Sequence, residues 1–359
     1  MTGTEAQRSP LHGVHSDAGG RFVTFAGWRL PVHYGSILDE ARAVRSRAGM
    51  FDVSHMGRVR VRGADALDVF QKLGTNDLHK ISPGKAQYTV WCTPDGGTID
   101  DLIVFWLGPQ EFLVVFNASR RDDDLEHLEE HLSGDVTVID ETEGSAMVAV
   151  QGPDAIAIVT DLGSDDARTL GRFGVVRTTV AGVGVVVSRT GYTGEDGVEI
   201  VSEAGAGPRV WEALRSKGVV PCGLGARDAL RMEMGYPLYG HELGPDTTPL
   251  EAGLGFAVRL KDREFVGRDA LAKQAADGPP RRLVGFVAGK PCVPQPGDEI
   301  GTGVVTSGGT SVVLNAPIGL AFIPGNASLG PGTLRTRGKE IPVELRKLPL
   351  IERNRPLKK

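Results

Sequence analysis

Stretches of helical and of strand periodicity alternate along the chain, and one such arrangement occurs twice. Val61 to Asp77 (VRGADALDVFQKLGTND) and Val150 to Asp166 (VQGPDAIAIVTDLGSDD) lie 89 residues apart and agree at seven of seventeen positions. Each copy reads as a strand, a glycine turn and a helix of two to three turns. Leu67, Phe70 and Leu73 fall at helical spacing in the first copy, as do Ile156, Val159 and Leu162 in the second. Pro153 suits a first helical turn, and Gly74 and Gly163 suit the position just past a helix end. Short β-branched and aromatic runs follow each helix: Tyr88 to Trp91, Ile103 to Leu107 and Phe112 to Phe116, then Val175 to Val180, Val183 to Val187 and Val198 to Val201. Gly-rich turns separate them, which predicts antiparallel hairpins. A closing helix is expected in each copy, over 120–132 and 207–215. The pattern predicts an α+β fold of two duplicated, ferredoxin-like antiparallel units with a cleft between them. A further helix is expected over 224–234, stopped by Gly235. After Asp277-Gly278-Pro279-Pro280 the chain is strands and turns, as in a C-terminal all-β barrel or jelly-roll domain. The expected domains are 1–143, 144–276, with a boundary that need not be continuous, and 281–359.

Composition narrows the class. The 359 residues carry 40 Lys and Arg against 45 Asp and Glu, a formal charge of −5. Such a mildly acidic chain is not built as a whole for nucleic acid or an acidic membrane. Cys92, Cys222 and Cys292 are odd in number and far apart, so neither a disulfide framework nor a thiolate cluster is expected. The opening MTGTEAQRSPLHG has no apolar core, and no run approaches a membrane span. A soluble, cytoplasmic protein is expected.

Several motifs invite chemistry. The GxG pairs at Gly182, Gly223 and Gly253 lack the third glycine and the strand-to-helix context of a dinucleotide site. His127-Leu-Glu-Glu130-His131 matches an inverted zinc-protease pattern. Both histidines fall off the Leu125, Leu128 and Leu132 stripe, among Asp122, Asp123, Asp124 and Glu129. A solvated charged face is the expectation there, and no metal is expected. In Gly96-Gly97-Thr98-Ile99-Asp100-Asp101, alternation puts the two carboxylates on opposite faces of a strand, so one should point inward. An inward carboxylate costs free energy unless paired or functional, whereas a turn acid would bond local backbone N–H groups. In RTGYTGEDGVEI, residues 189–200, three glycines let backbone approach something closely, and Glu199 interrupts an apolar strand. Glu199 could accept paired N–H donors from a ring such as a pterin, or pair with Arg227 or Arg231, which are i, i+4 on the next helix. His55 and His241 read as satisfied structural histidines.

Nine stretches in one order resemble a known family: FAGWRLPVHYGS, FDVSHMG, TND, PGKAQYT, GGTIDDLIV, RTGYTGEDGVEI, GLGARDALRMEMGYPLYGHEL, TPLEAGLGF and GVVTSG. Together they resemble the T-protein, or aminomethyltransferase, family of the glycine cleavage system. The resemblance implies a three-domain cloverleaf with tetrahydrofolate as co-substrate in a central cavity. It implies transfer of the methylene from an S-aminomethyl-dihydrolipoyl carrier to tetrahydrofolate, releasing ammonia and giving 5,10-methylenetetrahydrofolate. The resemblance implies the lipoyl H-protein as that carrier, with the system's P- and L-proteins as indirect partners. Asp101 matches the catalytic carboxylate, and a desolvated carboxylate can hold the amine proton and stabilise developing iminium charge. Glu199 and Arg227 match pterin and tail contacts, while Tyr88, Asn117 and Met56 match cavity-lining positions. Tyr192 lies in the matching loop. Phe256 stands where the family often has Trp, and Val293 where Arg is often seen. Asn354-Arg355-Pro356 stands where relatives can place a Tyr, and Arg355 is a candidate for the folate glutamate carboxylates. Two alternatives share the fold: a folate-dependent demethylase of a small methylated amine or sulfonium compound, and a non-catalytic folate-binding assembly factor. The latter relatives carry a KGCYxGQE-like segment, and RTGYTGEDG lacks its cysteine. Finally, residues 335–359 carry a net +6 on a body of −11. That basic end reads either as tail solubility or as a docking site for an acidic lipoyl carrier.

Overall fold

The computed structural model describes residues 6–352. The mixed α+β architecture is there, and the duplication is visible in the order of strands. One five-stranded sheet runs Lys85–Cys92, Thr98–Gly108, Glu111–Phe116, Gly57–Arg62 and Thr137–Asp140. The first four strands of a six-stranded sheet repeat that order as Val175–Val180, Val183–Ser188, Gly197–Glu203 and Ser145–Gln151, followed by Gly49–Asp52 and Val220–Pro221. In each copy the opening strand lies beside the last strand of a three-strand meander. Helices Ala66–Leu73 and Ala155–Asp161 occupy corresponding places, as do Arg121–Glu130 and Gly207–Ser216.

The fifth strand of each sheet is exchanged between copies. Gly49–Asp52 leads into the first copy but pairs antiparallel with Ser145–Gln151 of the second. Thr137–Asp140 leads into the second copy but pairs with Gly57–Arg62 of the first. A cut at 143/144 therefore crosses a sheet. Sequence periodicity reports which residues alternate, not which distant strand they join, so the exchange was not visible in it.

Two local expectations change. Gly74 closes its helix at φ −83°, in extended backbone rather than the left-handed region, whereas Gly163 does take a positive φ of 102°. Pro153 lies outside the helix, which starts at Ala155.

The helix Leu224–Met234 forms as expected and is the hub. It ends because Gly235 takes φ 68°, a left-handed conformation that glycine adopts without steric cost. Leu230 packs in the core between the two sheets, and Met232 packs against Ile318, Leu320 and Leu350 of the C-terminal part. That part is a closed six-stranded antiparallel barrel, from Arg281–Ala288 to Lys339–Arg346, rather than a jelly roll. Among the described residues no helix is long and apolar enough to cross a membrane.

Candidate functional site

Both faces of the strand Thr98–Gly108 are covered, and that decides where its carboxylates go. Leu102 and Val104 face a core shared with Phe70, Leu73 and Leu128. Ile103 and Phe105 face the other copy, in a core shared with Ala149 and Val175. Asp100 therefore sits wholly buried on the first face and Asp101 half-buried on the second. The turn before them is anchored to a loop from far along the chain. A β-carbon on Gly97 would lie 1.8 Å from the Pro245 carbonyl oxygen, so only glycine fits. The Thr98 N–H donates to the carbonyls of Gly244 (3.1 Å) and Thr247 (2.9 Å).

Asp101 is held at both oxygens. The Tyr88 hydroxyl donates to Oδ2 at 2.8 Å and Asn117 Nδ2 to Oδ1 at 2.8 Å. Asn117 also donates to Asp100, from its backbone N–H (2.9 Å) and from Nδ2 (2.8 Å). Burial, then the adjoining Asp100 carboxylate, raise the Asp101 pKa above its ordinary 3.8, against the Tyr88 and Asn117 hydrogen bonds. Burial and the Asp101 charge push the Tyr88 phenol well up. Both acids thus belong to a buried network, not to local turn bonding.

A second cluster gathers around Glu199, buried in the strand Gly197–Glu203. Its carboxylate accepts from the Thr190 hydroxyl at 2.5 Å. Burial raises its pKa, opposed by Thr190 and the charge of Arg227. Arg227 lies over the Tyr192 ring at 4.6 Å, and its Nη1 is buried without a hydrogen-bond partner among the described residues. Burial lowers its pKa. Arg231, one turn on, is committed elsewhere, to Glu242 (2.8 Å), Asp228 (2.8 Å) and Ser307 (2.7 Å). Of the two arginines expected near Glu199, only Arg227 acts on it. The Tyr192 hydroxyl donates to the Pro237 carbonyl.

The two clusters adjoin. Tyr192 senses the charge of Asp101. Phe256 stacks on Tyr88 with ring centroids 5.9 Å apart and planes 23° apart, yet remains 61% exposed. Met56 is half-buried in the core between the sheets, next to His55. His55 differs from a satisfied structural histidine: it is buried, its Nδ1 has no partner among the described residues, and burial with the Arg227 charge lowers its pKa to about 3. His241 is exposed and pairs with the Thr306 carbonyl at 3.1 Å, tying its loop to the barrel.

Two further findings correct the picture of the helix Arg121–Glu130. Asp124, expected on a solvated face, is wholly buried. His127 is half-buried, with its ring 5.6 Å from that of Trp91. Donor atoms of His127, Glu130 and His131 lie within 4.8 Å of one another, near enough to gather round an ion. His131 Nδ1 already pairs with the His127 carbonyl at 2.9 Å. Sequence reasoning missed Asp124, although it precedes the buried Leu128 by one helical turn and so shares its face. Val293 is exposed, and Arg355 lies outside the described residues.

Residues 11–262 match the family model described as GCVT N-terminal domain, and residues 281–352 the glycine cleavage T-protein C-terminal barrel domain. An aminomethyltransferase of Synechococcus elongatus is 45% identical over 354 residues, covering 95% of each chain. One of Bacillus subtilis is 42% identical over 352 residues, again covering 95% of each. The crystal structure of glycine cleavage system aminomethyltransferase T from Bartonella henselae superposes with a TM-score of 0.91 at 31% identity, covering 98% of this chain and all of that one.

Proposed function

Because the chain belongs to the glycine cleavage T-protein family, and is an aminomethyltransferase of that system, we propose that Asp101 is its catalytic carboxylate and that Glu199 and Arg227 hold its folate. On this reading the aminomethyl group arrives on the dihydrolipoyl arm of the H-protein, its methylene passes to tetrahydrofolate as the C–N and C–S bonds break, and ammonia and the free dihydrolipoyl thiol are released. Bound tetrahydrofolate supplies the amine that takes up the methylene carbon.

The observation that carries the reading is a carboxylate with no ion-pair partner among the described residues. Asp101 is fixed by Tyr88 and Asn117, flanked by a second acid and largely desolvated. Such a group lowers the energy of positive charge growing on the transferred carbon and accepts a proton from a nearby amine. The other residues suit a flat, polar ring with an anionic tail. Glu199 is an acceptor with one hydroxyl donor, Arg227 Nη1 is a donor without an acceptor, and Phe256 on Tyr88 presents an apolar wall. Tyr192 lies against the Arg227 guanidinium on one side, and Met56 is assigned to the cavity wall on this reading. A cytoplasmic location fits three free cysteines, and on this reading the folate lies between the units that exchange strands. Of the basic end, Arg335 is paired with Glu299 and Glu340, while Lys358 and Lys359 lie outside the described residues.

Formation of 5,10-methylenetetrahydrofolate from an aminomethyl-loaded lipoyl carrier tests the reading. A protein that demethylates a small methylamine instead, or binds folate without turnover, overturns it. Arg227→Met should raise the KM for tetrahydrofolate about 10- to 100-fold, the worth of a charge-assisted hydrogen bond, with kcat little changed. An unchanged KM would show that the guanidinium does not meet the ligand. The pH profile follows from the raised Asp101 pKa. The ionised form is the active one, so kcat should fall as pH drops through that raised value, sooner than for an ordinary aspartate. An acid limb at the ordinary aspartate position would contradict this.

A further inference from the structure

We propose that Asp124 is a positioning residue for Asp101, keeping its proton and donating it to Asp100 so that Asp100 and Asn117 together hold the catalytic carboxylate. The inference rests on the role given to Asp101 above and extends it by two residues into the core.

Asp124 lies in the first turn of the helix Arg121–Glu130 and is wholly buried. Among the described residues, neither of its oxygens receives a hydrogen bond from an N–H or O–H donor. Its carboxyl instead meets that of Asp100, also wholly buried. Two carboxyls in contact, away from water, cannot both be ionised and share one proton. Asp100 accepts two bonds from Asn117, so it suits the charged state and Asp124 the neutral one. Burial first, then the Asp100 charge, raise the Asp124 pKa in the same sense. The charged groups around the pair do not undo this. Arg120 acts on Asp124 but pairs with Asp123, donates to the Ile99 carbonyl at 3.1 Å, and lies 5.1 Å over the Tyr239 ring. Tyr239 senses both acids, and burial holds its phenol protonated. On the far side Asp101 faces Tyr88, Asn117 and Tyr192. The hydrogen bonds therefore run from Asp124 to Asp100, and from Asn117 to both Asp100 and Asp101.

With the proton on Asp124, Asp100 keeps its charge, orients Asn117 and holds the Asp101 pKa up. Without a donor, Asp100 takes the proton itself, Asn117 loses one of its two anionic acceptors, and Asp101 is freed of a like charge. Asp124→Leu removes the donor, whereas Asp124→Asn keeps one of the same shape. The test is turnover of the aminomethyl-loaded carrier against pH. For Asp124→Leu we expect kcat to fall about 10- to 100-fold, the usual cost of misplacing a catalytic group. Its KM for tetrahydrofolate should hold, and its acid limb should move to lower pH. Asp124→Asn should recover much of the kcat, with the limb in place. Equal losses in both variants with an unmoved limb, or no loss in either, overturn the proposal. Infrared spectroscopy checks it without turnover. The full-length protein above neutral pH should show a protonated-carboxyl C=O stretch that Asp124→Asn lacks and Asp101→Asn keeps. Absence of that band from the wild type also overturns it. Full turnover by Asp101→Asn would instead defeat the catalytic reading and leave the infrared result standing.

Discussion

Asp101→Asn will lower kcat by about 100- to 10,000-fold while leaving tetrahydrofolate binding largely intact, the range expected for loss of a positioned proton acceptor. Asparagine can occupy the site with little rearrangement. Its carbonyl can accept from Asn117 Nδ2 where Oδ1 does now, and its amide can donate to the Tyr88 hydroxyl, which then accepts. What disappears is the charge. Because that charge is desolvated beside Asp100, its removal relieves repulsion in the folded state. The thermal unfolding midpoint should therefore stay level or rise while the rate collapses, the usual opposition between a strained site and stability. Steady-state kinetics with the carrier, together with a melting curve, check both halves. Wild-type rates would remove Asp101 from the chemistry. A slow variant with a much lower midpoint would point to a structural role.

The largest effect on stability is expected from Arg45→Met. Arg45 sits in the helix Ile37–Ser46 with its side chain 1% exposed. It donates to Glu233 Oε2 from Nε (2.9 Å) and Nη2 (2.7 Å), and from Nη1 to the Thr193 carbonyl (2.7 Å) and Glu195 (2.9 Å). Glu233 in turn accepts from Ser311 Oγ at 2.6 Å and Val313 N–H at 3.1 Å, at the barrel. One guanidinium thus ties the hub helix, the Gly-rich loop carrying Tyr192 and, through Glu233, the barrel. Removing it strands two buried carboxylates, at a cost of about 3–5 kcal/mol. At a few degrees per kcal/mol this lowers the melting midpoint by roughly 10 °C. Adding Glu195→Gln and Glu233→Gln should restore part of the loss, because the stranded charges go. A midpoint within a degree of wild type would show that the network contributes little.

The contrast between Asp101 and Asp124 shows what could be read in advance. The adjacent acids after Gly96-Gly97 stood out because strand alternation is a local rule: one of two neighbours must face inward, whatever the strand pairs with. Asp124 stood in a run of acids on a helix, and its burial depends on the strand Thr98–Gly108 lying beneath that face. Phe256 is similar. Its aromatic character is in the sequence, whereas its place over Tyr88 requires residues 168 positions apart to meet.

The sequence by itself determined the helix Leu224–Met234 and its stop at Gly235, the hairpin strands of both copies, the repeat, and the family through nine ordered motifs. All of these rest on spacing within a few residues or on residue identity in order. Only the tertiary structure decided that Gly49–Asp52 and Thr137–Asp140 change places between sheets, that Arg227 rather than Arg231 acts on Glu199, and that Asp124 is wholly buried behind Asp100. Each depends on which distant surfaces cover one another and exclude water, because burial and pairing set the charge a carboxyl keeps.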